Sequence, residues 1–279
     1  VIGFLMNAGI NDRQAWLMFT ILMCLLVGIG VFLCWYYTSG TEKVLSPEKA
    51  ETRESIGYLL LENFILIVRD FYQLMRLKAM ATLIGTKIIF MLGFTLYTSG
   101  MMFFMQYSLR LDTAVTSTVY MVSISASILF TPVITYWAIR WGKKSLISGA
   151  MAISGLLGLL LYLIGVDSYV VALFYVILFT FGQAAFWQIS SAMFYDVAEV
   201  DEYVYGKRRE GAIIAFQSIV GTLSTAVALQ AIGLLLNMAG FDGTLSVQST
   251  ETIGMLSHVF VLFPSLCFIA ATLTLIAYP

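Results

Sequence analysis

Charge is scarce in this chain. Lys, Arg, Asp and Glu make up 11% of the 279 residues, against about 25% in an ordinary soluble domain, which excludes the usual charged, water-facing exterior. Histidine occurs once, at His258, and the three cysteines, Cys24, Cys34 and Cys267, are scattered through apolar runs. That spacing excludes a cysteine metal cluster and an extracellular disulfide frame. Segments of about ten residues with alternating polarity are missing, which excludes an outer-membrane β-barrel. There is no His-x-x-x-His pair and no buried nucleophile beside a base, so the chain is not expected to be an enzyme and calls for no resident cofactor. The last apolar run, Ile253–Tyr278, holds no lysine and cannot carry a retinal Schiff base; a seven-helix receptor fits poorly. The chain opens on Val1 without a basic leader or a cleavage site, and it reads as the continuation of earlier spans.

What is present is hydrophobic length. The composition is 60% hydrophobic with a mean hydropathy of +0.90, and apolar runs of span length recur. A hydrocarbon core of ~30 Å needs about 20 helical residues to cross it. Seven stretches qualify: Ala15–Tyr37, Ile88–Leu109, Thr113–Ile139, Ser145–Val166, Tyr169–Tyr195, Gly211–Ala239 and Ile253–Tyr278. The predicted fold class is an all-α polytopic membrane protein. Between the first and second spans the chain turns polar. There Ile56–Met75 is apolar but interrupted by Glu62, Asn63, Arg69 and Asp70, which predicts an amphipathic helix on the membrane surface; an eighth span is the competing reading.

The densest charge lies at Asp196–Glu210, with five acids and three bases in fifteen residues between two apolar runs. Such charge cannot sit in hydrocarbon, and it predicts a surface loop. With that side fixed, 13 of the 15 basic residues fall together and only Arg13 and Arg110 fall opposite. By the positive-inside rule the populated side is cytoplasmic, and so is the C-terminus. The predicted organisation is residues 1–37 as the end of an N-terminal helix bundle, 38–87 as a central cytoplasmic linker, and 88–279 as a six-helix bundle. One span, a long linker and six spans match the back part of a twelve-helix carrier built from two six-helix halves.

No ionised residue is placed in the middle of a span by this reading; Lys87 and Arg110 cap the two ends of one helix. The spans carry neutral polar faces instead. Gln183, Trp187, Ser190 and Ser191 share one helical face, and Gln217, Ser218, Gly221, Thr222 and Thr225 form another. Tyr97, Thr98, Ser99, Gln106 and Tyr107 decorate the span after the linker. Hydrogen bonding between helices explains such residues, and so does a solute site. A neutral hydroxyl-rich ligand needs amides to bond and an aromatic face to pack against, which singles out Trp187, Gln183, Gln217, Thr222 and Tyr97. At the charged loop, ion pairs between helix ends could hold one conformation and release it in another.

Phe186-Trp187, Asp196 and the run Asp201-Glu-Tyr-Val-Tyr-Gly-Lys-Arg-Arg-Glu-Gly211 resemble the signature of the glycoside–pentoside–hexuronide:cation symporters, the melibiose-carrier-like branch of the major facilitator superfamily. The resemblance runs from Phe186 to Phe241, and helix order and the long central loop agree over essentially the whole chain. It implies the last helix of an N-terminal half plus the six-helix C-terminal half of an alternating-access carrier in a bacterial cytoplasmic (inner) membrane. It implies symport of a sugar or glycoside with Na⁺ or H⁺, the cation carboxylates belonging to the other half. Trp187 matches a sugar-site aromatic residue, while Asp196 and Arg208 match charged residues of a cytoplasmic gate, to which Glu210 is added as a candidate. One position departs: the lysine these symporters carry fourteen residues after that arginine is Thr222 here, which puts solute and coupling ion in doubt. A facilitator of a lipid or drug-like solute is the alternative. Expected partners are the solute and membrane lipid, not nucleic acid, with a monomer as the working unit.

Overall fold

The structure is a computed structural model describing residues 12–39, 69–206, 209–243, 245 and 247–279. Among these, the regular structure is helical: α1 (Asp12–Thr38), α2 (Lys78–Phe103), α3 (Thr113–Trp141), α4 (Lys143–Ile164), α5 (Tyr169–Tyr205), α6 (Glu210–Met238), α7 (Thr250–Ser257) and α8 (Phe263–Ile276). Residues 69–76 are also helical. α2 runs on through a π-turn at Phe104–Ser108, and another at His258–Leu262 joins α7 to α8 into one span. Among the described residues, seven segments are long and apolar enough to cross a membrane, at the places the hydropathy pattern predicts.

The chain divides into two compact units, residues 1–59 and 60–279. In the first, α1 is a 27-residue helix whose span, Leu17–Thr38, has a mean hydropathy of 2.7. The second is the bundle α2–α8. Its core is aromatic: Phe90 stacks on Phe186 at 3.6 Å between ring centroids, Phe179 on Phe268 at 4.0 Å, and Tyr97 on Phe179 at 4.1 Å. Between membrane helices the hydrophobic effect gives little, so close backbone approach through small residues has to supply the packing. Gly182 on α5 lies against α4, where a Cβ would come within 2.6 Å of Ser154 Oγ. Gly93 on α2 lies against α8, where a Cβ would meet Cys267 Cβ at 2.6 Å.

Two helix limits differ from the hydropathy reading. α2 begins at Lys78, ten residues before Ile88, and α5 continues to Tyr205, ten residues past Tyr195. Asp196, Glu199, Asp201 and Glu202 are therefore on a helix and not in a loop; the turn begins at Gly206, whose φ of +64° closes α5 in the left-handed region. Charge density forbids hydrocarbon, not helix. At ~1.5 Å per residue, the 37 residues of α5 reach about 55 Å and project well past a core of ~30 Å.

That projection brings the charged groups to one end of the bundle. Lys143 Nζ bonds both Asp196 carboxylate oxygens at 2.7 Å, and Lys144 Nζ donates to the Tyr278 carbonyl. Arg209, before α6, reaches Asp201 near the end of α5. The basic turn between α3 and α4 and the one between α5 and α6 thus share a membrane face, as the charge asymmetry requires. Arg110 belongs to the opposite end, between the π-turn and α3.

The surface helix expected over Ile56–Met75 is described from residue 69 onward. There Phe71 meets Phe216 of α6 at 4.0 Å, Leu74 is buried, and Asp70 pairs with Arg209. This segment packs against α6. Glu62 and Asn63 lie outside the described residues.

Candidate functional site

α2, α5 and α6 line an open groove of about 540 Å³, within the ~300–1,000 Å³ of ordinary ligand sites. Trp187 stands on α5 and is 44% exposed, so its indole presents a free face to the groove. Phe90 and Phe94 of α2 meet that indole at nearly right angles, with centroids 5.8 and 5.7 Å away, and hold its orientation. α6 contributes Gln217, Ser218, Gly221, Thr222 and Thr225, a stripe spaced so that each lies on the same face. Met91, Ala226 and Leu229 supply the apolar lining.

The hydroxyls of the α6 stripe have a defined polarity. Ser218 donates to the Ile214 carbonyl, Thr222 to Ser218 and Thr225 to Gly221, each at 3.0 Å. Their protons are engaged in the helix, and the remaining lone pairs are acceptors.

Lys87 is the residue that sequence reasoning misplaced. It caps no helix end: it lies nine residues into α2, about 14 Å along the axis from Lys78, and it lines the groove. It is 5% exposed. Its ammonium lies 5.7 Å from the centroid of the Phe194 ring and makes no hydrogen bond or ion pair with a described residue. Gly221 is its neighbour on α6: a Cβ there would lie 3.4 Å from Lys87 Cε, an ordinary van der Waals contact. The departure at Thr222 is thus matched in space: the groove does hold a cation, brought from α2 instead of α6. Hydropathy could not show this, because a window opening at Ile88 leaves Lys87 just outside the span. Helical phase carried a signal, however, since Lys87, Met91 and Phe94 recur on one face of α2.

The other sequence candidates are placed as follows. Trp187, Gln217 and Thr222 are brought together at the groove. Gln217 also lines a smaller cavity of about 170 Å³ with Ser191, Phe194, Tyr195 and Ile214. Gln183, one turn before Trp187, is half-buried, and its Oε1 has no hydrogen-bond partner among the described residues. Tyr97 is elsewhere: 2% exposed, it is stacked among Phe179, Phe260 and Tyr175 in the core.

At the charged face, Asp196 and Lys143 are each about half exposed, so their pair is largely solvated. Arg208 lies outside the described residues, and Glu210 opens α6 in its first turn. The buried arrangement is centred one residue further on. Arg209 holds Asp201 through both carboxylate oxygens at 2.7 and 3.0 Å, Asp70 at 2.8 Å and Gln73 at 2.9 Å. Asp201 is fully buried and Arg209 is 8% exposed. The Asp201 carboxylate raises the guanidinium pKa above its ordinary value, against the opposing effect of burial. Bidentate geometry is what arginine offers and lysine does not. The same guanidinium therefore ties three elements: the end of α5, the start of α6 and the segment 69–76.

The described residues thus form a bundle of membrane-length helices with an open groove along α2, α5 and α6 and ion pairs at one end. The family of MFS/sugar transport proteins matches residues 1–279, the whole of the sequence, and the chain belongs to that family. No curated protein matches the chain.

Proposed function

We propose that this chain carries a sugar or glycoside across the membrane by alternating access, in symport with Na⁺ or H⁺. The single observation that carries the reading is the groove, where an indole face, an amide and a row of hydroxyl acceptors converge on one cavity of sugar size. Trp187 packs against the ring of the solute, Gln217 bonds its hydroxyls, and Thr222 accepts from them; Gln183 supports Trp187 from one turn away. The carrier's opposite six-helix half would form the facing wall and hold the coupling cation, as the resemblance implies. The positive-inside rule supports reading the face that bears Lys143, Lys144 and Arg209, and the C-terminus with it, as cytoplasmic. The membrane is a bacterial inner membrane on the same resemblance.

At that face Asp196–Lys143 and Asp201–Arg209 join helix ends in this conformation, and their release accompanies the opposite one. Arg208 and Glu210, the sequence neighbours of Arg209, are assigned the same role. A second reading rests on Met91, Ala226 and Leu229, whose apolar share of the same groove suits an amphipathic, lipid-like or drug-like solute moved without coupling.

Uptake of a panel of labelled glycosides into proteoliposomes containing the full-length protein, under Na⁺ or H⁺ gradients, tests the proposal. Saturable uptake accelerated by one gradient is expected. Uptake indifferent to both gradients removes the coupling, and a panel without any transported glycoside removes the sugar.

A further inference from the structure

At the end of the bundle opposite the ion pairs, the two π-turns lie against each other. Phe104 of the first stacks on Phe260 of the second, with ring centroids 4.9 Å apart. Gly100, one turn before Phe104, lets the second backbone come close: a Cβ there would lie 3.0 Å from Val259 Cγ1 and 3.2 Å from Phe260 Cα. The second π-turn has a local cause. Pro264 has no N–H, so it cannot make the helical bond to the Phe260 carbonyl four residues back. Tyr175 of α5 serves that acceptor instead, its hydroxyl donating at 3.1 Å, while Ser265 Oγ donates to the next carbonyl, that of Val261. Tyr175 and Phe260 have no exposed surface, so bulk water is no substitute for this donor.

Beyond the two π-turns the chain is tied to itself. Phe241, after α6, meets Phe103 and Tyr107 edge-on at 5.4 and 5.1 Å. The buried Gln248 side chain bonds the backbone of Asp242 and Leu245, and Thr252 of α7 donates to the Ala239 carbonyl at 2.6 Å. α7 packs in turn on the first π-turn. Resting on the carrier reading above, we infer that the α6–α7 connection, α7 and the first π-turn form a hinged cap at the outer end of the groove helix α6, with Tyr175 as its latch. π-turns within α-helices recur at functional sites, and two that stack on each other share one hinge axis. With the Tyr175 bond made, the cap is held on the bundle. With it broken, the cap swings about the Phe104–Phe260 contact and opens the outer end to solute.

Hydrogen exchange of the purified full-length protein, read peptide by peptide, tests the cap without any solute. Peptides within 239–257 are expected to exchange together, and faster than those of α5. Tyr175→Phe should speed that exchange about tenfold and leave the start of α4 unchanged. Pro264→Ala returns the missing N–H, so Y175F added to P264A should change the exchange by less than about twofold. In reconstituted uptake of the glycoside that the panel identifies, P264A stiffens the hinge and should slow transport about tenfold while solute affinity stays the same. Exchange of 239–257 no faster than that of α5, or a Y175F effect undiminished in P264A, overturns the hinge. P264A uptake at the wild-type rate overturns its role in solute access. If P264A fails to fold, the wild-type pattern and Y175F still decide. A panel without any transported glycoside removes the sugar reading, and the exchange result still decides the cap.

Discussion

Arg209→Gln is the perturbation whose cost the structure sets most clearly. The substitution withdraws a bidentate guanidinium from Asp201, a carboxylate with no exposed surface, and leaves that charge buried without a counter-ion. Breaking a buried pair from one side costs about 3–5 kcal/mol, chiefly because the survivor is stranded. The contact to Asp70 adds little, since Asp70 is 36% exposed and water screens it. Asp201→Asn is milder: Arg209 keeps Asp70 and Gln73 at 2.8 and 2.9 Å, so the expected loss is about 1–3 kcal/mol. The double variant strands nothing. Its loss should fall short of the sum of the singles by roughly 1–3 kcal/mol. Equilibrium unfolding of the four full-length proteins in mixed detergent measures the cycle. Lys143→Ala serves as a reference, because its half-exposed pair with Asp196 is worth under ~1 kcal/mol. The reasoning is refuted by an R209Q loss no larger than that of K143A, or by single losses that add.

Other outcomes follow from the packing and the groove. Gly182→Ala should cost about 1–3 kcal/mol, because its Cβ would lie within 2.6 Å of Ser154 Oγ, whereas Gly233→Ala, with open space beside it, should be neutral or slightly stabilising in the same unfolding assay. Tyr97→Phe removes a buried hydroxyl that has no hydrogen-bond partner, so stability should change by under ~1 kcal/mol and uptake should persist; lost uptake would return Tyr97 to the solute site. Gln217→Ala should weaken solute binding at least tenfold without lowering the melting temperature, read by calorimetric titration and thermal unfolding of the same preparation.

Hydrophobic length made the seven spans readable before any coordinates, because ~30 Å of hydrocarbon imposes a minimum run that few other folds need. The grouping of the two basic turns was readable for the same reason: charge cannot stay in the core. Helix limits were not. Hydropathy marks where hydrocarbon ends, whereas a helix ends where its backbone is stopped, and α5 is stopped by Gly206 eleven residues after Tyr195. The groove was legible in part. Trp187, Gln217 and Thr222 stood out as polar or aromatic groups in apolar surroundings, and they meet. Lys87 and the Asp201–Arg209 pair were hidden, since both depend on which helix lies across from which. Tyr97 shows the converse, a polar aromatic residue singled out by type and placed by packing in the core.

The most direct test of a solute groove at α2, α5 and α6 is a matched pair of tryptophan truncations in the full-length protein, Trp187→Ala inside it and Trp141→Ala at the end of α3. Reconstituted uptake should be abolished by W187A and unaffected by W141A, with both proteins inserted in the membrane to the same extent. Wild-type uptake by W187A would contradict the account.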